Sequence, residues 1–184
     1  MFTELRLQIE KGIGRTIMIE CVLIVIIVLS GVLILTGLIM GVYQHIHTKH
    51  IPISQLSIPK TTYTQLVIDY CHTNLNTGKT KKPVGVVKYN KNKTTHGVYY
   101  PSSNQIIVYV NTHTHLKDLT NTIIHEYVHS TQKNRTFNSM YDHYNQSVGY
   151  QNNPFEIESR KVSEQYDNQC VKYLIDRYQI LQTG

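Results

Sequence analysis

The chain has 184 residues, 41% of them hydrophobic and 16% charged, with a formal net charge of +6 at pH 7. That length suits about one domain, and lysines scattered without a base-stacking motif argue against a nucleic-acid reader. Residues 21–42, CVLIVIIVLSGVLILTGLIMGV, hold no charge over 22 positions, a pattern that excludes an ordinary soluble protein. As a helix rising ~1.5 Å per residue, such a run would cross a hydrocarbon layer of ~30 Å.

A retained anchor is expected over 21–42 rather than a cleaved signal. The run exceeds the usual apolar stretch of a signal peptide, and Tyr43, Gln44 and His45 follow it in place of small residues. Arg6, Lys11 and Arg15 precede the run, whereas only Lys49 and Lys60 follow within reach. This asymmetry predicts a single-pass membrane protein with a cytoplasmic segment over 1–20 and its domain on the opposite side of the lipid bilayer. Gly37 and Gly41 form a GxxxG pair, which predicts weak homodimerisation through the membrane helix. After the first twenty residues the chain keeps 15 Lys/Arg against 9 Asp/Glu, a balance suited to acidic partners.

Residues 43–60, with Pro52 and Pro59, read as a stalk, and 61–184 as the globular domain. From Tyr63 to His72 the positions Leu66, Val67, Tyr70 and Cys71 recur at helical spacing. Short β-branched and aromatic runs follow at Val84–Asn90, Gly97–Tyr100 and Gln105–Asn111. Clusters of Pro, Asn, Gly and Ser separate them, which predicts a small, mostly antiparallel sheet. A helix is predicted over Leu116–Lys133, with Asp118 in its first turn and Lys133 in its last, both suited to the helix dipole. A further helix is predicted from Pro154 to Leu181, with residues between these helices forming a loop. The fold class expected is α+β. Cys71 and Cys170 form either one disulfide or two buried thiols. Asn92, Asn134 and Asn145 each begin an N-x-S/T sequon.

The string His125-Glu126-Tyr127-Val128-His129 is an H-E-x-x-H motif within the second predicted helix. Histidines at i and i+4 project from one face. They supply two nitrogen ligands for Zn²⁺ and leave room for a third protein ligand and a water. Glu126 is placed to act on that water as a general base. Gly and His do not recur at the later metzincin positions, which here hold Gln132 and Arg135. The third ligand is therefore sought among Glu156, His143 and Glu158. Glu156 borders the apolar face of the last predicted helix, whereas Glu158 falls on its polar side.

With these residues the sequence resembles the gluzincin-type zinc metallopeptidases over roughly residues 95–165. In that family a later helix carries a Glu ligand in an E-x-x-[AS]-D string, which here reads Glu156-Ile157-Glu158-Ser159-Arg160. The resemblance gives Glu156 the ligand role and places Arg160 where the family has an Asp that orients a zinc-binding His. In a related zincin branch the third ligand is a His soon after the first motif, a place His143 would fill. The resemblance also implies a peptide or protein substrate, held along an edge strand such as that in GVYYPSSNQIIVYV. Tyr141, Tyr144, Tyr150 and Arg160 are candidates to stabilise the oxyanion. The function expected is a membrane-anchored zinc peptidase with one Zn²⁺ per chain. The alternative is a zincin-like binding or structural protein without turnover.

Overall fold

A computed structural model describes residues 26–39, 50–75, 80–89, 94–132 and 137–181. The chain divides into two compact units, 1–45 and 46–184. In the first, helix α1 covers 26–39, with its apolar side chains exposed. The membrane-spanning helix expected over 21–42 is not supported: among the described residues no helix is long and apolar enough to cross a membrane. The single-pass localisation inferred from that helix falls with it. The segment 1–20 and Gly41 lie outside the described residues.

The second unit is mostly helical. It holds α2 (Lys60–Asn74), β1 (Val84–Lys88), β2 (Gly97–Tyr100), β3 (Gln105–Tyr109), α3 (Leu116–Thr131), α4 (Phe137–Val148) and α5 (Pro154–Tyr178). The sheet has the order β1-β3-β2 and differs from the mostly antiparallel arrangement expected. β1 runs parallel to β3 from Val84↔Gln105 to Lys88↔Tyr109, while β2 pairs antiparallel with β3 from Gly97↔Val108 to Tyr100↔Gln105. The reason lies in β3, whose successive residues Ile106, Ile107 and Val108 are all buried. A strand buried on both faces takes the centre of a sheet, so β1 and β2 become its two edges.

Asn104 closes the β2–β3 hairpin in the left-handed region, at φ 51°, a conformation Asn tolerates better than most residues. Its side chain accepts from Tyr99 Oη at 3.0 Å and donates to the Lys82 carbonyl at 3.1 Å, tying the turn to the approach of β1. Gly85 lets β1 lie close on α2. A Cβ there would meet Thr64 Cγ2 at 2.9 Å, and its N–H donates to Gln65 Oε1 at 3.1 Å.

The core lies between α2, α3, α5 and the sheet, and centres on Tyr63, Val67, Ile68, Ile106, Leu119, Ile123, Tyr127 and Leu174. Residues expected to form a stalk contribute to it: Ile51, Ile53 and Leu56 are buried. Ile53 N donates to the Thr114 carbonyl at 3.0 Å and Ser57 N to the Ile180 carbonyl at 2.8 Å, so this segment stitches the start of α3 to the end of α5. Ile53–Gln55 form a 3₁₀ turn flanked by single bridges of Pro52 to His115 and Leu56 to Leu181, and this puts Ile51, Ile53 and Leu56 on the core side. α5 stops at Tyr178 because Gln179 turns left-handed, at φ 48°, and folds Ile180 back into the core. Cys71 and Cys170 are free, buried thiols. Asn92 and Asn134 lie outside the described residues, and Asn145 Oδ1 accepts from Asn153 Nδ2 at 2.9 Å.

Beneath α3 one buried polar pair crosses the core. Tyr63 Oη and Thr120 Oγ1 are 2.6 Å apart, and Thr120 also donates to the Leu116 carbonyl at 2.7 Å. Thr120→Val removes the hydrogen-bond partner of the buried Tyr63 phenol and is expected to cost about 1–3 kcal/mol, whereas Tyr63→Phe leaves Thr120 bonded and should cost about 1 kcal/mol. Urea titration of both variants, with the ordering reversed, would contradict this account.

Candidate metal centre

Two helices build the centre. Along α3, Leu116, Leu119, Ile123, Ile124, Tyr127 and Val128 are buried against the core, which leaves His125, Glu126 and His129 at the margin of that face. His125 and His129, one turn apart, place their Nε2 atoms 3.1 Å from each other. α5 brings Glu156 to the same point. Asn153 caps this helix by accepting from Phe155 N at 3.1 Å, and Pro154 occupies its first turn. Glu156 thus falls in the first turn, where the positive end of the helix dipole favours a carboxylate.

Glu156 is 1% exposed. Its Oε2 lies 3.1 Å from His125 Nε2 and its Oε1 3.2 Å from His129 Nε2. Tyr141 Oη donates to Oε1 at 2.6 Å, but Oε2 has no hydrogen bond that satisfies it. Its distance to His125 suits a contact, not the direction a hydrogen bond requires. A buried carboxylate oxygen left without a donor, facing two imidazole nitrogens, is what a cation would resolve. The ligand atoms of His125, His129 and Glu156 all lie within 4.8 Å of one another, and the three residues can hold a metal ion. Burial opposes ionisation of Glu156, yet the close approach of His125, His129, Tyr141 and Tyr150 holds its carboxyl well below the usual range.

Beside the triad, Glu126 faces a cleft of about 360 Å³ lined by Gly97, Tyr99, Tyr141, Tyr150 and the three metal-site residues. Burial pushes its carboxyl above the ordinary value, against the pull of His129, His125 and a backbone hydrogen bond from Tyr99. That direction suits a proton acceptor working near neutrality. Gly97 brings β2 over this residue. A Cβ at position 97 would lie 2.7 Å from Thr122 Cγ2, 3.1 Å from Glu126 Cγ and 3.4 Å from the Ile107 carbonyl. With a strand carbonyl on one side and a short, branched side chain on the other, neither neighbour has room to give. Gly97→Ala is expected to displace β2 from α3 and destabilise the fold by about 1–3 kcal/mol, measured as a lower urea midpoint; an unchanged midpoint would show that the contact is slack.

The other candidates are placed apart. His143 lies exposed on α4, its ring 5.7 Å from Tyr144. Glu158 is exposed and accepts from Gln132 Nε2 at 2.8 Å. Of the oxyanion candidates, Tyr141 is engaged with Glu156, Tyr144 packs 6.1 Å from the Phe155 ring, and Tyr150 lines the cleft while half exposed. Arg160 donates to the Gln151 carbonyl and stands 4.0 Å from Glu156 Oε2.

Two contributors were not read from the sequence. α4, expected as loop, carries Tyr141 over Glu156; the spacing of Met140, Tyr141, Tyr144 and Val148 held a helical signal diluted by polar neighbours. Asn153 is fully buried and joins α4 to α5, donating to the Tyr141 carbonyl at 3.2 Å while it caps α5. No protein-family model matches this chain, no curated protein matches it, and no solved structure matches it.

Proposed function

We propose that this chain is a zinc-dependent peptidase. The observation that carries the reading is the convergence of His125, His129 and Glu156 on one point, with Glu126 beside it on the wall of an open cleft. Two imidazoles and one carboxylate form the donor set of a catalytic zinc, with a coordination position left over for water. Zinc bound there would polarise a substrate carbonyl and lower the pKa of its water.

The chain's own residues supply the remaining tasks. Glu126 accepts the proton of the attacking water and delivers it to the leaving amine. β2 is an edge strand beside α3, so its outer backbone can pair with an extended peptide. Tyr150 lines the cleft beside Glu156, half exposed, and its hydroxyl is the candidate to face an oxyanion.

A metal-binding protein without turnover is the second reading. The guanidinium of Arg160, 4.0 Å from Glu156 Oε2, favours it by competing for the ligand carboxylate. The test is elemental analysis of the purified full chain, followed by mass spectrometry of a mixed-sequence peptide library. One zinc per chain with cleavage abolished by a chelator and restored by zinc is the expected result. Zinc without cleavage would favour the second reading, and a folded chain without zinc would overturn both.

A further inference from the structure

We infer that Gln132 is a positioning residue that fixes the tautomer of His129, so that Nε2 presents a lone pair to the metal site; this rests on the metal-site reading above. The neighbours of the Gln132 amide fix which of its ends donates. Its Nε2 donates to the Phe155 carbonyl at 3.1 Å and to Glu158 Oε2 at 2.8 Å. Neither a carbonyl nor a carboxylate has a proton to give, so the NH₂ end of the amide must face α5.

That orientation leaves Gln132 Oε1 toward His129 Nδ1, at 2.8 Å. An amide oxygen only accepts, and Nδ1 therefore carries the proton. Ser159 supports the same assignment independently. Its hydroxyl donates to the Phe155 carbonyl at 2.9 Å, which turns an oxygen lone pair toward His129 Nδ1 at 3.4 Å. With Nδ1 protonated, Nε2 is the ligand atom, and it is the nitrogen that lies beside His125 Nε2 and Glu156 Oε1.

The result is a relay of carboxylate, amide and imidazole from Glu158 through Gln132 to His129. It does the task for which Arg160 is unsuited: a guanidinium cannot accept from an imidazole N–H. Position matters too. Gln132 is the C-cap of α3, three residues beyond His129, where the chain leaves the helix and its side chain can turn back to Nδ1 and still reach α5. The relay therefore joins the helix bearing two ligands to the helix bearing the third. Outer partners of this kind raise the basicity of a ligating His and hold its ring in place.

The experiment measures zinc affinity of the full chain by chelator competition, together with long-range ¹⁵N–¹H spectra of the histidines in metal-free protein above their titration range. Wild type is expected to show His129 protonated at Nδ1. Gln132→Leu should lower zinc affinity about 10–100-fold and mix the His129 tautomers, with the metal-free unfolding midpoint little changed. Gln132→Glu combined with Glu158→Gln exchanges the two ends of the relay, keeps an acceptor on Nδ1, and should recover most of the affinity. Wild-type His129 protonated at Nε2, or zinc affinity unaltered in Gln132→Leu, would overturn the inference. Should the wild-type chain bind no zinc, the metal reading fails by itself, and the ¹⁵N spectra still decide whether Gln132 sets the tautomer.

Discussion

Glu126→Gln is expected to retain one zinc per chain while losing turnover by about 10²–10⁴-fold, the usual worth of a positioned proton-transfer group. The two properties separate because Glu126 lies on the cleft wall and outside the group of three side chains that can hold a metal ion. Gln keeps the size of the side chain and can accept from the Tyr99 backbone, so β2 should stay where it is. What Gln lacks is an oxygen basic enough to take a proton. Elemental analysis and single-turnover hydrolysis on the same preparation check both halves. Retained turnover would remove Glu126 from the mechanism, and lost zinc would make it a ligand.

Glu156→Ala is expected to abolish stoichiometric zinc binding, with an affinity loss beyond the 10–100-fold typical of removing an outer partner. Only two imidazoles would remain of a three-ligand site. The same substitution leaves Tyr141 Oη without the acceptor it now holds at 2.6 Å, so some loss of stability accompanies the loss of metal. His143→Ala serves as the control for the alternative ligand and should bind zinc as wild type does, since His143 lies exposed and away from the cleft. Glu158→Ala should weaken binding less than Glu156→Ala, because Glu158 reaches His129 only through Gln132. Isothermal titration across the three variants ranks them. Full zinc affinity in Glu156→Ala, or its loss in His143→Ala, would reassign the third ligand.

Parts of this centre were legible in the residues. An i, i+4 histidine pair with a Glu between them has one geometry once the segment is helical, and the apolar positions 116, 119, 123, 124, 127 and 128 say which way the helix faces. The preference for Glu156 over Glu158 came from the same periodicity on the later helix. Other features were hidden because they depend on residues far away in the chain. Nothing local distinguishes a stalk of alternating Ile and polar residues at 51–57 from a 3₁₀ turn whose flanking residues bridge to the start of α3 and the end of α5. Hydropathy over 21–42 suggests a membrane span, yet among the described residues no helix is long and apolar enough to cross a membrane.

Spacing within a single helix depends on backbone geometry that every residue shares, and for that reason the sequence alone determined the pairing of His125 with His129 and the place of Glu126 between them. Long-range packing chose the rest. The parallel sense of β1 on β3, the descent of α4 over Glu156, the meeting of α5 with α3 and the reach of Gln132 to His129 each join residues distant in sequence or lying on different elements. Contacts of that kind form only when whole faces are buried together, and burial is a property of the assembled core that no local pattern of residues contains.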